Sequence, residues 1–130
     1  MNAVRVLLEA YREWRRLAEA EGEAIRTSNW SLCQACQTAL KNLRSHITAL
    51  MPEVRAEWSR TGCDPEAKQR LLDATIHELI HIHRRNQTLL QAVRAVAQTK
   101  LRQLGEARLK LKQLRSSYGL TTGSAWSSFS

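Results

Sequence analysis

The chain has few of the residues that β-rich and membrane-spanning proteins need. Only seven of its 130 residues are aromatic, and glycine and proline together also number seven. So few turn-forming and aromatic residues argue against a β-sandwich or β-barrel. The uncharged stretch at residues 27–40 contains Ser, Asn, Gln, Cys and Thr, so it predicts no membrane-spanning helix.

The first residues also lack the basic-then-apolar pattern of a signal peptide, because Glu9 and Glu13 come too early. Three cysteines, an odd number, fit a reducing compartment better than a disulfide framework. We therefore expect a cytoplasmic protein without membrane insertion.

Acidic side chains are almost missing from the end of the chain. The whole chain has a net charge of +8, and residues 100–130 carry six basic side chains against one acidic side chain. The basic residues are Lys100, Arg102, Arg108, Lys110, Lys112 and Arg115. Such a segment attracts an acidic partner, so a nucleic-acid-binding or scaffold helical protein is one alternative. Nucleic acid is the less favoured partner, because no aromatic side chains are interleaved to stack bases.

Apolar residues recur three and four positions apart through most of the sequence, a spacing typical of amphipathic helices. They predict an all-α fold with a first long helix over residues 3–50, weakened at residues 27–29, and a second over residues 65–118. Two such helices joined by a short connection should pack as an antiparallel hairpin or small bundle.

Local signals place the ends of these helices. The residue before a proline avoids the α conformation, so Pro52 should end the first helix. Residues 52–60 then form a short connecting helix, which Gly62 ends in a left-handed conformation. Asp64 and Pro65 suit the N-cap and first position of the second helix.

The second helix should end at Tyr118 and Gly119. Residues 1–119 are therefore predicted to form a helical domain. The remaining residues, 120–130, are rich in Ser, Thr and Gly and are predicted to form a flexible tail.

A zinc-protease motif occurs within the second helix. His77, Glu78 and His81 match HExxH, in which two histidines bind zinc and the glutamate acts as a base. Helical geometry turns both histidines away from the apolar stripe and towards solvent, and no strand is predicted to complete a protease fold. We therefore expect no enzyme activity, no catalytic residue, no metal and no cofactor.

Cys33 and Cys36 form a CxxC pair that invites a zinc or redox interpretation. In an antiparallel hairpin they would lie level with the histidines of the second helix. Cys36 and His83 face inward, however, while His77 and His81 face outward. Buried cysteines that act as small apolar side chains are the expected outcome.

Two structural residues and one binding strip complete the pattern. The inward apolar stripe of the second helix runs through Leu72, Ile76, Leu79, His83, Asn86, Leu90, Val93, Ala97, Leu101, Leu104 and Leu111. Asn86 and His83 fall on this stripe, where the buried amide of Asn86 must find partners and can fix the helix register. Beside that stripe lies a strip of apolar residues bordered by cations: Leu89, Val96, Leu114 and Tyr118, with Arg102, Arg108 and Lys112. We expect an amphipathic helix to bind this strip, with a homodimer or the tail as the other occupants considered.

Four segments of the chain stand in an informative order. They are Glu21-Gly-Glu-Ala24-Ile25 with Asn29-Trp30, then Leu40-Lys41-Asn42-Leu43, then His83-Arg-Arg-Asn86-Gln-Thr-Leu89-Leu90, and last Tyr118-Gly119 with Gly123. In this order they resemble the FlgN-like export chaperones of the bacterial flagellum, which serve the hook–filament junction proteins. The resemblance covers most of the chain, and His83 and Asn29 depart from its usual residues.

The resemblance implies a small all-helical cytosolic chaperone without an enzymatic step. Such a chaperone holds the amphipathic terminal helix of a hook-associated protein and shields it from premature polymerisation. It then delivers this substrate to the export gate, where Tyr118 matches the docking tyrosine near the end of the last helix.

Overall fold

Residues 2–127 of the chain form three α-helices. A computed structural model describes the backbone of residues 2–127 and the side chains of residues 2–118. Helix α1 covers Ala3–Arg26, α2 covers Trp30–Arg60 and α3 covers Pro65–Ser127, and no strand occurs within the described backbone. The prediction of an all-α fold is therefore confirmed. No helix in the described range is long and apolar enough to cross a membrane.

The predicted first helix is in fact two helices, because the chain leaves the helical conformation at residues 27–29 and forms a turn there. Ser28 has a positive φ of 56°, and the N–H of Asn29 donates to the carbonyl of Ala24 at 2.8 Å. A left-handed residue with this hydrogen bond is a Schellman ending. Asn29 then caps α2, accepting a hydrogen bond at 3.2 Å from the N–H of Leu32.

The second turn follows the sequence prediction closely. Gly62 has a φ of +76°, and the N–H of Cys63 donates to the carbonyl of Trp58 at 3.0 Å. The carboxylate of Asp64 accepts from the N–H of Glu66 at 3.1 Å, so Asp64 is the N-cap of α3. The left-handed glycine and the cap of α3 are thus confirmed.

Pro52 does not end a helix, so the predicted connecting helix over residues 52–60 is wrong. Pro52 lies inside α2, which continues to Arg60. Leu50, Val54 and Trp58 lie four residues apart and are all buried in the core. Packing of this apolar face stabilises the helix across the proline, because burial of each large side chain contributes about 1.5–3 kcal/mol.

The chain divides into two units, the first ending at Gln91 and the second beginning at Ala92. In the first unit, the N–H of Val4 donates to Glu57 at 2.8 Å, which joins the start of α1 to the end of α2. Arg15 of α1 pairs with Glu78 of α3 at 2.7 Å. The first unit is therefore a small bundle in which α2 runs antiparallel to α1.

The core of this bundle draws on all three helices. Its buried members are Ala3, Leu7, Ala10, Tyr11, Ile47, Leu50, Val54, Trp58, Leu72 and Leu79. Most neighbouring members on each helix lie three, four or seven residues apart, as expected for one face of a helix. This regularity explains why the core side of each helix could be recognised before its exact ends.

Within the described backbone, the second unit consists of the part of α3 from Ala92 onwards. Helix α3 continues to Ser127, so its predicted end at Tyr118 and Gly119 is wrong. The backbone of the predicted tail is accordingly helical from residue 120 to residue 127. Residues 128–130 lie outside the described part of the chain.

Candidate partner-binding surface

The candidate surface is the part of α3 that belongs to the second unit. From Ala92 to Tyr118 every side chain is exposed except Val93, which is half-buried. This segment nevertheless carries many large apolar side chains that are more than half exposed: Val96, Leu101, Leu104, Leu109, Leu111, Leu114 and Tyr118. Contiguous exposed apolar side chains mark interaction sites in soluble proteins.

The structure distributes the predicted strip over both units. Leu89 belongs to the first unit and is half-buried, whereas Val96, Leu114 and Tyr118 are exposed in the second. The predicted cations Arg102, Arg108 and Lys112 are exposed in the second unit as well.

Part of the strip forms a depression on the surface. Leu114 and Tyr118, together with Leu111 and Arg115, line an open cavity of about 370 Å³ within the second unit. Sequence reasoning placed Leu111 on the inward stripe and therefore expected it to be buried. Leu111 is instead 67% exposed, and Leu101 and Leu104 are exposed to a similar degree.

The physical reason for this correction is helix length. Helices α1 and α2 have 24 and 31 residues, whereas α3 has 63. At 1.5 Å per residue these correspond to roughly 36, 46 and 95 Å. Because the predicted first helix is split at residues 27–29, α1 and α2 are each much shorter than α3, and neither can pair with α3 along its full length.

The charge of the surface is strongly one-sided. Between Ala92 and Tyr118 there are seven Lys or Arg residues and one acid, Glu106, a net charge of +6. Apolar side chains flanked by cations suit an amphipathic helix that carries acids along its edges.

A buried polar cluster lies in the first unit, where Asn86 was predicted to find partners. Asn86 is 1% exposed, and its Nδ2 donates to the carbonyl of Ala18 at 2.7 Å and to Oε1 of Glu21 at 3.0 Å. The Glu21 side chain is itself only 2% exposed. His83 is half-buried on the same helix. Asn86 therefore ties α3 to α1, and Glu21 is the partner that the sequence pattern did not reveal.

The histidines and the glutamate of HExxH lie on exposed positions of α3. His77 and His81 are both exposed, as predicted, and Nδ1 of His77 lies 2.7 Å from the carbonyl oxygen of Asp73 on its own helix. The hydrogen bond from Arg15, reinforced by its charge, holds the pKa of Glu78 below its usual range and makes this carboxylate a weaker base. Among the described side chains, no group of three or more His, Cys, Asp or Glu residues is placed to hold a metal ion.

The CxxC cysteines are both buried on α2, in agreement with the sequence prediction. Burial raises the pKa of the Cys36 thiol, and the negative charge of Glu21 raises it further, while Arg16 partly opposes the shift. A raised pKa keeps sulfur in the thiol form, which is neither a good nucleophile nor a good metal ligand. These residues therefore belong to the core.

Comparison with known proteins returned no match: no family model, no curated protein and no solved structure matches the chain. Function is therefore inferred from the exposed surface of α3 and from the residues around it. The likeness to the FlgN-like chaperones stays a sequence-based expectation.

Proposed function

We propose that this protein is a FlgN-like chaperone for flagellar export. It binds the amphipathic terminal helix of a hook-associated protein along α3 and delivers that protein to the export gate. Binding and release perform this task, so no catalytic residue or cofactor takes part.

One observation carries the proposal. The part of α3 from Ala92 to Tyr118 combines exposed leucines with seven basic side chains. Covering exposed apolar side chains with a partner is favourable by about 25 cal/mol per Å² of apolar surface buried. An amphipathic helix fits a narrow apolar strip with a charged border, and it is the element that such a chaperone must shield.

A titration tests this proposal directly. The terminal helix of the hook-associated protein from the same genome is titrated into the full chain by calorimetry. Val96→Ser with Leu114→Ser removes two exposed apolar contacts and should weaken binding by roughly tenfold or more. Leu89 is left unchanged, because it is half-buried in the first unit and its loss would also lower stability.

Leu71→Ser is the matched control. Leu71 is 67% exposed on α3 but belongs to the first unit, so its replacement should leave the affinity unchanged. An equal effect of both variants, or none from either, would contradict the proposed location of the site.

Salt dependence separates the proposal from nucleic-acid binding. Affinity for a helix held mainly by apolar contacts should fall much less between 50 and 200 mM salt than the affinity of phosphate binders, which lose about 10³-fold or more. Tight, steeply salt-dependent binding to a DNA or RNA duplex, with no binding of the terminal helix, would favour the alternative.

The delivery step has its own test. Tyr118 is 61% exposed near the end of the described side chains. Tyr118→Ala should reduce capture of the export-gate component more than it reduces binding of the terminal helix. Equal capture by the variant and the original chain would place gate docking elsewhere.

A further inference from the structure

Helix α3 carries a single heptad pattern through both units. Its seam positions, alternately four and three residues apart, are Leu72, Ile76, Leu79, His83, Asn86, Leu90, Val93, Ala97, Lys100, Leu104, Ala107, Leu111, Leu114 and Tyr118. The six positions as far as Leu90 are all buried or half-buried in the first unit. From Ala97 onwards the same pattern is exposed. The seam thus has a packing role in the first unit, and the same seam presents exposed side chains from Ala97 onwards in the second.

The spacing of the uncovered half indicates what covers it. A repeat of 3.5 residues keeps a narrow seam facing a neighbouring helix as the two helices supercoil. A sheet edge, a lipid surface or a nucleic-acid groove requires no such repeat. The occupant is therefore a helix with a heptad repeat of its own.

Charges beside the seam argue against a second copy of this chain. Arg94, Arg108 and Arg115 follow the seam on one side and Lys110 lies on the other, while Glu106 lies away from it. In either orientation, two copies would bring these cations together, and like charges at such positions disfavour pairing. A helix with acidic flanks places carboxylates there instead.

Lys100 is the exception within the seam. The other seven seam residues from Val93 to Tyr118 are apolar, whereas Lys100 is charged and its side chain is exposed. A lysine in a coiled-coil seam lowers stability unless its ammonium group is paired, and it fixes the register when it is. Burial against an apolar partner would leave the charge without a partner, which is strongly unfavourable.

We propose that the seam from Val93 to Tyr118 binds an acidic heptad helix, and that Lys100 sets its register by pairing with a seam carboxylate of that helix. This inference rests on the helix-binding step of the proposed function and names the chemistry of the partner. It does not depend on the partner being a flagellar protein.

Designed peptides test the inference with the full chain. Each peptide is four heptads long, with leucine in the seam and glutamate at both flanking positions. Two peptides carry a single central glutamate in the seam, one at an a position and the other at a d position of the heptad. A third peptide carries leucine at both of these positions. The original chain should bind the better seam-glutamate peptide about tenfold more tightly than the all-leucine peptide.

Exchange of the lysine should reverse this preference. Lys100→Leu should bind the all-leucine peptide more tightly than either seam-glutamate peptide. Lys68→Leu is the matched control: it removes the same charge from an exposed position of the first unit, outside the binding seam, so the preference for glutamate should persist. Circular dichroism checks that all three chains have equal helix content.

Several results would overturn the inference. Equal affinity of the original chain for seam-leucine and seam-glutamate peptides would remove the role of Lys100. Equal binding of a peptide with lysine flanks would remove the charge argument. A chain that is dimeric in solution, and becomes monomeric in Leu111→Gln, would show that a second copy occupies the seam.

The outcome also separates this inference from the proposed function. If the acidic peptide binds and the hook-associated helix does not, the seam stands and the flagellar role fails. If the hook-associated helix binds and no acidic heptad peptide does, the seam inference fails alone.

Discussion

Gly22 on α1 leaves the space that Oδ1 of Asn86 on α3 occupies. A β-carbon at position 22 would lie 2.7 Å from that oxygen, well inside the normal contact distance. Asn86 cannot simply move away, because its Nδ2 is held by Ala18 and Glu21. The glycine therefore allows a polar contact between two helices that any larger residue would push apart.

The first prediction concerns this contact. Gly22→Ala should destabilise the bundle by about 1–2 kcal/mol, because overpacking of roughly 1–3 kcal/mol outweighs the gain in helix propensity of up to about 1 kcal/mol. Urea unfolding measures the change. Gly105→Ala is the control, since nothing lies within 4 Å of a β-carbon there, and it should raise helix content.

A double substitution checks the cause. If the clash with Asn86 is responsible, Gly22→Ala should cost less in an Asn86→Ala background than in the original chain. Equal losses in both backgrounds would mean that the glycine is needed for another reason.

The second prediction concerns the two turns, which use the same left-handed conformation with different residues. Ser28 has a φ of 56° and Gly62 a φ of 76°. Ser28→Gly should stabilise the chain by about 0.5–1 kcal/mol, because a side chain is strained in this region. Gly62→Ser should destabilise it by a similar amount, as measured by thermal unfolding. A loss of stability in Ser28→Gly would show that its side chain makes a contribution larger than the strain.

These turns also show why some boundaries could be predicted and others could not. Gly62, Asp64 and Pro65 have intrinsic preferences that act locally, so the sequence alone places the start of α3. Ser28 has no such preference, so nothing in the local sequence indicates a left-handed residue at this position. Pro52 shows the reverse case, because tertiary packing of Leu50, Val54 and Trp58 maintains the helix that local preference would end.

The binding surface illustrates a limit of another kind. Periodicity identified the apolar side of α3 correctly, and Leu72, Leu79 and Leu90 are buried there. It could not show that the same pattern is exposed at Leu104 and Leu111, because exposure depends on tertiary packing and not on the spacing of apolar residues. The sequence did not reveal Glu21 as a partner of Asn86, because glutamate side chains are rarely buried unless they are paired.

The third prediction follows from the ion pair between Arg15 and Glu78. Arg15 lowers the pKa of Glu78 in the folded state below its unfolded value. The pair therefore stabilises the fold above the unfolded pKa, and this contribution is lost as the pH falls through the lowered pKa. The stability difference between the original chain and Glu78→Gln should be present at neutral pH and vanish in acid.

Salt supplies the control for this pair. Both side chains are partly exposed, with relative exposures of 42% and 58%, so 1 M salt, at which the screening length is about 3 Å, should reduce the difference at neutral pH. A stability difference that persists unchanged in acid would mean that Glu78→Gln acts through packing and not through loss of the ion pair.

The last prediction concerns the reactivity of the cysteines. Burial and the nearby Glu21 raise the pKa of Cys36, so the reactive thiolate is scarce and also inaccessible. Cys63 is only half-buried in the turn before α3. A disulfide reagent at mildly alkaline pH should modify Cys63 first, whereas Cys36 should react at least roughly tenfold more slowly, after local opening of the bundle. In Cys63→Ser, the fast phase should disappear and the slow phase should accelerate with urea. A fast phase that survives this substitution would mean that the CxxC pair is accessible and chemically active, contrary to its place in the core.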